Sequence, residues 1–225
     1  MTMFKRAMIF VTFFGSCFAI ALLVASLGTK QWVNAVAKRT INPEESQGRI
    51  NFGLFDGKKD LNVAYGWRTY PIDVVHLLKY EPEFLNYWLW LGTITCVCAG
   101  LLLSALSGVF AAINAGTSSS NCLLTSKRLY LWNFLAMLSN LGAIGFWLLQ
   151  YYFKLQSNVL SREELENMWT SENMADLGYS FWFVVGAAAA NFINIIILLI
   201  ANSDGNKETV IPMLEEKTNG AIMLY

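Results

Sequence analysis

Five amide side chains, Asn133, Asn140, Gln150, Asn191 and Asn194, sit in stretches of sequence that hold no Asp, Glu, Lys, Arg or His. The chemistry open to them is hydrogen bonding. In an apolar surround an amide needs partners, and each bond between helices in lipid is worth roughly 0.6–2 kcal/mol. Catalysis asks for other arrangements, such as a nucleophile beside a base or grouped metal ligands. The single histidine, His76, lies outside the uncharged stretches, and the cysteines Cys17, Cys96, Cys98 and Cys122 have no metal-ligand spacing. No catalytic, cofactor-binding or metal-binding constellation is found, so the chain is expected not to be an enzyme. A transport pathway would carry intramembrane acids, bases or histidine, and these stretches have none.

The elements that position these amides follow from the charge pattern. The chain of 225 residues is 55% hydrophobic and 14% charged, with 16 basic and 16 acidic residues. A soluble domain is about a quarter charged. No Asp, Glu, Lys, Arg or His falls between Ala7 and Thr29, Phe84 and Ser126, Leu129 and Phe153, or Leu177 and Ser203. A bilayer core needs about 20 apolar residues per helix. The pattern therefore predicts four transmembrane helices, near 7–29, 84–116, 129–153 and 179–201, with loops at 30–83 and 154–178. The first run is longer than the roughly 7–15 apolar residues of a secretory signal, so it reads as a retained span.

Lys5, Arg6, Lys127 and Arg128 flank spans on one side with no acid close by, which places both termini in the cytoplasm. A raw count of basic residues points the other way, because the first loop holds eight. That loop is near the limit of about 60 residues within which the positive-inside rule is counted. Neither proposed outer loop contains cysteine, so an outer disulfide is excluded, and the chain has no N-glycosylation sequon. Cys122, beside the membrane on the inner side, is a candidate for palmitoylation. Ten aromatics near the span ends, Trp32, Tyr87, Trp88, Trp90, Tyr130, Trp132, Tyr151, Tyr152, Tyr179 and Trp182, read as an interfacial belt.

Span two carries small residues at every fourth position: Gly92, Cys96, Gly100, Ser104, Gly108, Ala112 and Gly116. Each step of four advances about 40° beyond a full circle, so the row winds around the helix. Small residues let backbones approach closely, the main source of helix association in lipid. Gly186, Ala190 and Asn194 form a shorter row in span four, and Ala136, Ser139, Asn140 and Ala143 lie in span three. These contacts are expected to hold the four helices together, with some available to a second membrane protein.

In the first loop, Ile50-Asn51-Phe52-Gly53-Leu54 alternates with period two, the pattern of a strand. Asp56-Gly57 reads as a hairpin turn, with a return strand over 58–65. Ile50, Phe52 and Leu54 should face the bundle, and Gly53 marks a bulge or a close backbone approach. Trp32 and Val33 should leave span one in extended form, residues 42–46 read as an exposed link, and a short helix is expected over 71–80. After Ala201 the sequence turns polar and reads as a disordered tail. Its end, Met223-Leu224-Tyr225, fits a PDZ-type groove, where strand addition is joined by carboxylate capture.

Several motifs together resemble one family. A Trp after span one and Gly53-Leu54-Phe55 in a long first loop are similar to the claudin-like tetraspan superfamily. The loop lacks the cysteine pair of claudins. The closer resemblance is to clarins: Phe52-Gly53-Leu54-Phe55-Asp56-Gly57, Trp132-Asn133 in span three, Ser180-Phe181-Trp182 opening span four, and the ending Gly220-Ala221-Ile222-Met223-Leu224-Tyr225. The resemblance covers nearly the whole chain. Phe52 replaces the commoner Tyr, and a first-loop glycosylation sequon is absent, which puts glycan-dependent trafficking in doubt. The resemblance implies a non-enzymatic plasma-membrane protein of mechanosensory cells, linked to hearing and vision, that organises membrane and cytoskeleton. It also implies cytoplasmic termini.

The expected fold is an all-α membrane protein, a four-transmembrane-helix bundle with a small extracellular antiparallel β-sheet in the first outer loop. Residues 1–202 form the membrane domain and 203–225 the cytoplasmic tail. The expected partners are the lipid bilayer, other membrane proteins alongside and a cytoplasmic PDZ scaffold, with no nucleic acid, small-molecule substrate or cofactor. An auxiliary subunit of an ion channel is the alternative role.

Overall fold

The computed structural model describes residues 3–41, 46–62, 66–81, 83–116 and 122–221. Four long helices, α1 (Met3–Gly28), α3 (Tyr87–Gly116), α4 (Cys122–Gln150) and α6 (Tyr179–Ala221), pack as a bundle, and each is long and apolar enough to cross a membrane. The neighbours run α1, α3, α4, α6 and back to α1. A turn of π-helix, Tyr151–Leu155, extends α4. Between the long helices lie β1 (Val33–Arg39), β2 (Gln47–Phe52), β3 (Asp56–Asn62), β4 (Trp67–Asp73) and α2 (Val74–Tyr80). The 154–178 loop adds α5 (Arg162–Glu166), β5 (Trp169–Thr170) and β6 (Ala175–Leu177).

The buried positions explain why the helices pack side by side. In α1 they are Lys5, Ile9, Thr12, Ser16, Ala19, Leu23 and Ser26, and in α4 Leu129, Asn133, Ala136, Asn140, Ala143, Trp147 and Gln150. In both, the steps alternate four and three. Trp90, Thr93, Val97, Gly100, Ser104, Ser107 and Ala111 repeat the alternation in α3. A spacing of 3.5 keeps one seam facing its neighbours along the whole length, the geometry of left-handed bundles.

The sheet differs from the expected hairpin. It has six strands in the order β4-β3-β2-β1-β5, with β6 also on β1, so both connecting loops build it. All pairings are antiparallel. Ile50, Phe52 and Leu54 are buried, as their alternation requires. Asp56-Gly57 is not the turn. Phe52 pairs with Gly57 in the ladder, and Gly53-Leu54-Phe55 makes the reversal, closed by Gly53 N–H to the Asp56 carbonyl at 2.8 Å. Pro71 lies in β4, the edge strand, where a missing N–H is tolerated. The short helix accordingly starts later than expected, at Val74, with Asp73 accepting from His76 N at 3.0 Å. The tail also differs: α6 continues as helix to Ala221, through Gly205 and Pro212.

Candidate functional site

Two constructions stand out, one inside the bundle and one where the sheet meets it. Inside the bundle, each long helix contributes one polar side chain to a closed ring. Asn133 Nδ2 on α4 donates to Ser107 Oγ on α3 at 2.6 Å. Ser107 Oγ lies 3.4 Å from Ser16 Oγ on α1. Asn194 Nδ2 on α6 reaches Ser16 Oγ at 3.4 Å and Asn133 Oδ1 at 3.2 Å. The ring thus follows the order of the helices around the bundle. All four residues are buried, and Ser104 and Asn191 bridge α3 and α6 beside it at 3.3 Å. On the side away from the sheet, one apolar residue per helix closes the core: Ile9, Ala111, Leu129 and Leu198. Asn133 and Asn194 belong to the residues singled out from the sequence. Ser16, Ser107 and Gly15 do not, yet a Cβ on Gly15 would collide with the Asn194 amide.

The small-residue row winds across successive neighbours. A Cβ on Gly92 would meet the Phe146 ring of α4 at 3.1 Å, and one on Gly100 would overlap the Asn140 amide of α4. Ser104 faces Asn191 of α6, and a Cβ on Gly108 would lie 3.5 Å from Ser16 Cβ of α1, an ordinary contact. A Cβ on Gly116 would meet nothing within 4 Å among the described residues. A Cβ on Gly186 would lie 3.1 Å from Leu22 Cδ1 of α1.

At the junction, the Gly53-Leu54-Phe55 reversal is wedged between helix ends. A Cβ on Gly53 would lie 2.6 Å from the Thr29 carbonyl oxygen and 3.1 Å from Lys30 Cα. Trp90 Nε1 donates to the Leu54 carbonyl at 2.7 Å, and Val74 N–H to the Phe55 carbonyl at 3.0 Å. Trp32 N–H donates to the Phe52 carbonyl at 2.9 Å, and its Nε1 to the Ser26 carbonyl at 2.8 Å. Lys30 pairs with Asp56 on the surface. Gly57 is needed inside the ladder, since a Cβ there would lie 2.6 Å from Phe52 Cα. Phe55 is the exposed member of the motif. The start of α6 docks on the same place: Gly178 N–H donates to the Trp32 carbonyl at 2.9 Å, and Ser180 Oγ lies 2.6 Å from Thr29 Oγ1. Two members of the expected aromatic belt are therefore buried joints, Trp32 and Trp90, whereas Tyr87, Trp88, Tyr152, Tyr179 and Trp182 are exposed.

The sheet also carries a shallow cavity of about 210 Å³ between β3, α2 and the loop before α5. Its polar wall is the Lys59–Glu164 ion pair, in which Glu164 also accepts from the Ser161 N–H at 3.0 Å. On the exposed edge of the sheet, the Thr69 hydroxyl bonds Asp60 Oδ1 at 2.6 Å. That bond, helped by Lys58, holds the Asp60 carboxyl below its ordinary pKa against the opposing effect of partial burial. Cys17 and Cys98 are exposed on the helices and Cys96 is half-buried, all as free thiols. Cys122 opens α4, but its side chain lies outside the described residues, as do Met223, Leu224 and Tyr225. A comparison with protein-family models finds no match, and none is found among curated proteins.

Proposed function

We propose that the chain is a non-enzymatic, clarin-like tetraspan of the plasma membrane that organises membrane, cytoskeletal or adhesion complexes in sensory cells. The observation that carries this reading is the use made of its polar groups. Asn133, Asn194, Ser16 and Ser107 satisfy one another across all four helices. The Gly-Leu-aromatic motif is taken up in tying the sheet to the bundle. Partners have the surface to dock on: exposed apolar helix faces, the sheet with its two loops, and the chain end.

In this reading both termini are cytoplasmic, the sheet is extracellular, lateral partners dock on helix faces, and a PDZ scaffold takes the tail. Proximity labelling from each terminus in the native cell tests it. Cytoskeletal or adhesion scaffolds should be enriched from both ends. Stoichiometric co-purification of a pore-forming channel would replace this role with that of an auxiliary subunit. A pull-down with the native end against one extended by a single residue tests the PDZ element, and equal capture would exclude it.

A further inference from the structure

The core at the sheet end of the bundle holds polar groups with no hydrogen-bond partner among the described residues. Ser26 of α1, Trp147 of α4 and Gln150 of α4 are completely buried. Among the described residues, the Ser26 hydroxyl, the Trp147 indole N–H and both amide atoms of Gln150 have no hydrogen-bond partner. They belong to one neighbourhood. Trp32 bonds the Ser26 carbonyl at 2.8 Å and meets the Trp147 ring edge-on with centroids 4.9 Å apart. Gln150 follows Trp147 by three residues on the same buried seam. Directly beyond Gln150 the helix widens into the π-turn Tyr151–Leu155, where the Tyr151 hydroxyl bonds the Ala175 carbonyl at 2.7 Å. Single π-turns recur at functional sites.

A buried amide or hydroxyl without a partner costs several kcal/mol in an apolar surround. This neck carries three such residues, Ser26 near the end of α1 and Trp147 and Gln150 one turn apart at the end of α4. The chemistry of the missing partner follows from theirs. Every group is neutral, so none offers a countercharge to an ion. The indole only donates, while the hydroxyl and amide both donate and accept. A partner must therefore accept and donate at short range and be small. We propose that the neck between bundle and sheet is a binding site for a small cluster of ordered water molecules, which bridges Ser26 Oγ, Trp147 Nε1 and the Gln150 amide. One buried water makes about three hydrogen bonds, so about two would satisfy the set. The cluster makes the joint between sheet and helices wet, whereas the ring lower in the bundle is closed by side chains alone.

The test uses the full chain in lipid nanodiscs with ¹⁵N-labelled tryptophan indoles. Magnetisation transfer from water is recorded at mixing times that suppress bulk exchange. The Trp147 indole should show a water cross-peak. Trp32 and Trp90, whose indoles bond backbone carbonyls directly, should show none. In Gln150→Leu the Trp147 cross-peak should fall at least twofold. A wild-type Trp147 indole without the cross-peak overturns the proposal, whether or not the variant folds. An unchanged cross-peak in folded Gln150→Leu removes Gln150 from the site and overturns the proposal as stated.

Discussion

The polar ring within the bundle and the junction under the sheet are both buried, and they are held by different means. In the ring, side chains bond side chains: Asn133, Asn194, Ser107 and Ser16. At the junction, side chains and loops bond backbone carbonyls: Trp32 to Ser26, Trp90 to Leu54, Tyr151 to Ala175. The ring can be altered one amide at a time. The junction depends on backbones lying against one another, so its weak points are glycines.

The largest effect is expected at Gly53, in the junction. Gly53→Val places side-chain atoms against the Thr29 carbonyl and Lys30 Cα, backbone that cannot move aside without shifting the end of α1. We expect a loss of about 3 kcal/mol or more, or failure to fold, read by thermal unfolding in detergent. Gly116→Val, where a Cβ would meet nothing within 4 Å among the described residues, should leave unfolding unchanged. Asn133→Leu comes next. It strands Ser107 and Asn194, with an expected cost of about 1–2 kcal/mol in the same assay. Combined with Asn194→Leu, the two losses should add to clearly less than their sum, because both break one ring. Full additivity would mean that the ring is not a unit.

Trp90→Phe keeps most of the packing and removes the bond to the Leu54 carbonyl. The expected cost is about 1 kcal/mol. The smallest effect lies at the sheet edge. The Asp60 pKa is lowered in the folded chain, so its contribution to stability is present above the unfolded pKa and lost as pH falls through the folded one. Thr69→Val removes the main cause. The carboxyl should then titrate at higher pH by NMR, and acidification through the carboxylate range should destabilise the variant less than the native chain.

The helices were legible because a missing charge is a strong signal over some twenty residues. The seam within them was harder to see. Ser16 and Ser107 look like small residues among many, and what marks them as ring members is the alternation of four and three along the buried seams of α1 and α3. At the junction, Ile50, Phe52 and Leu54 announced their buried side by alternation, and Gly53 announced a close approach. Asp56-Gly57 misled, because a turn-favouring pair also serves where Gly57 must lie under Phe52 in the ladder. Strands β5 and β6 span two and three residues, too short for any period to register. The helical continuation of α6 was hidden by Gly205, Pro212 and a polar composition, all of which favour a break when only local preference is weighed.

In the proposed topology four helices cross the bilayer and leave the sheet on one face and both chain ends on the other. The direct measurement is protease and antibody access in intact cells, using small tags before Met1, after Tyr225 and at Gly66 in the loop between β3 and β4. With this topology the Gly66 tag is reached without permeabilisation and both terminal tags are reached only after it. Terminal tags on opposite faces, or a Gly66 tag on the same face as either end, would contradict it.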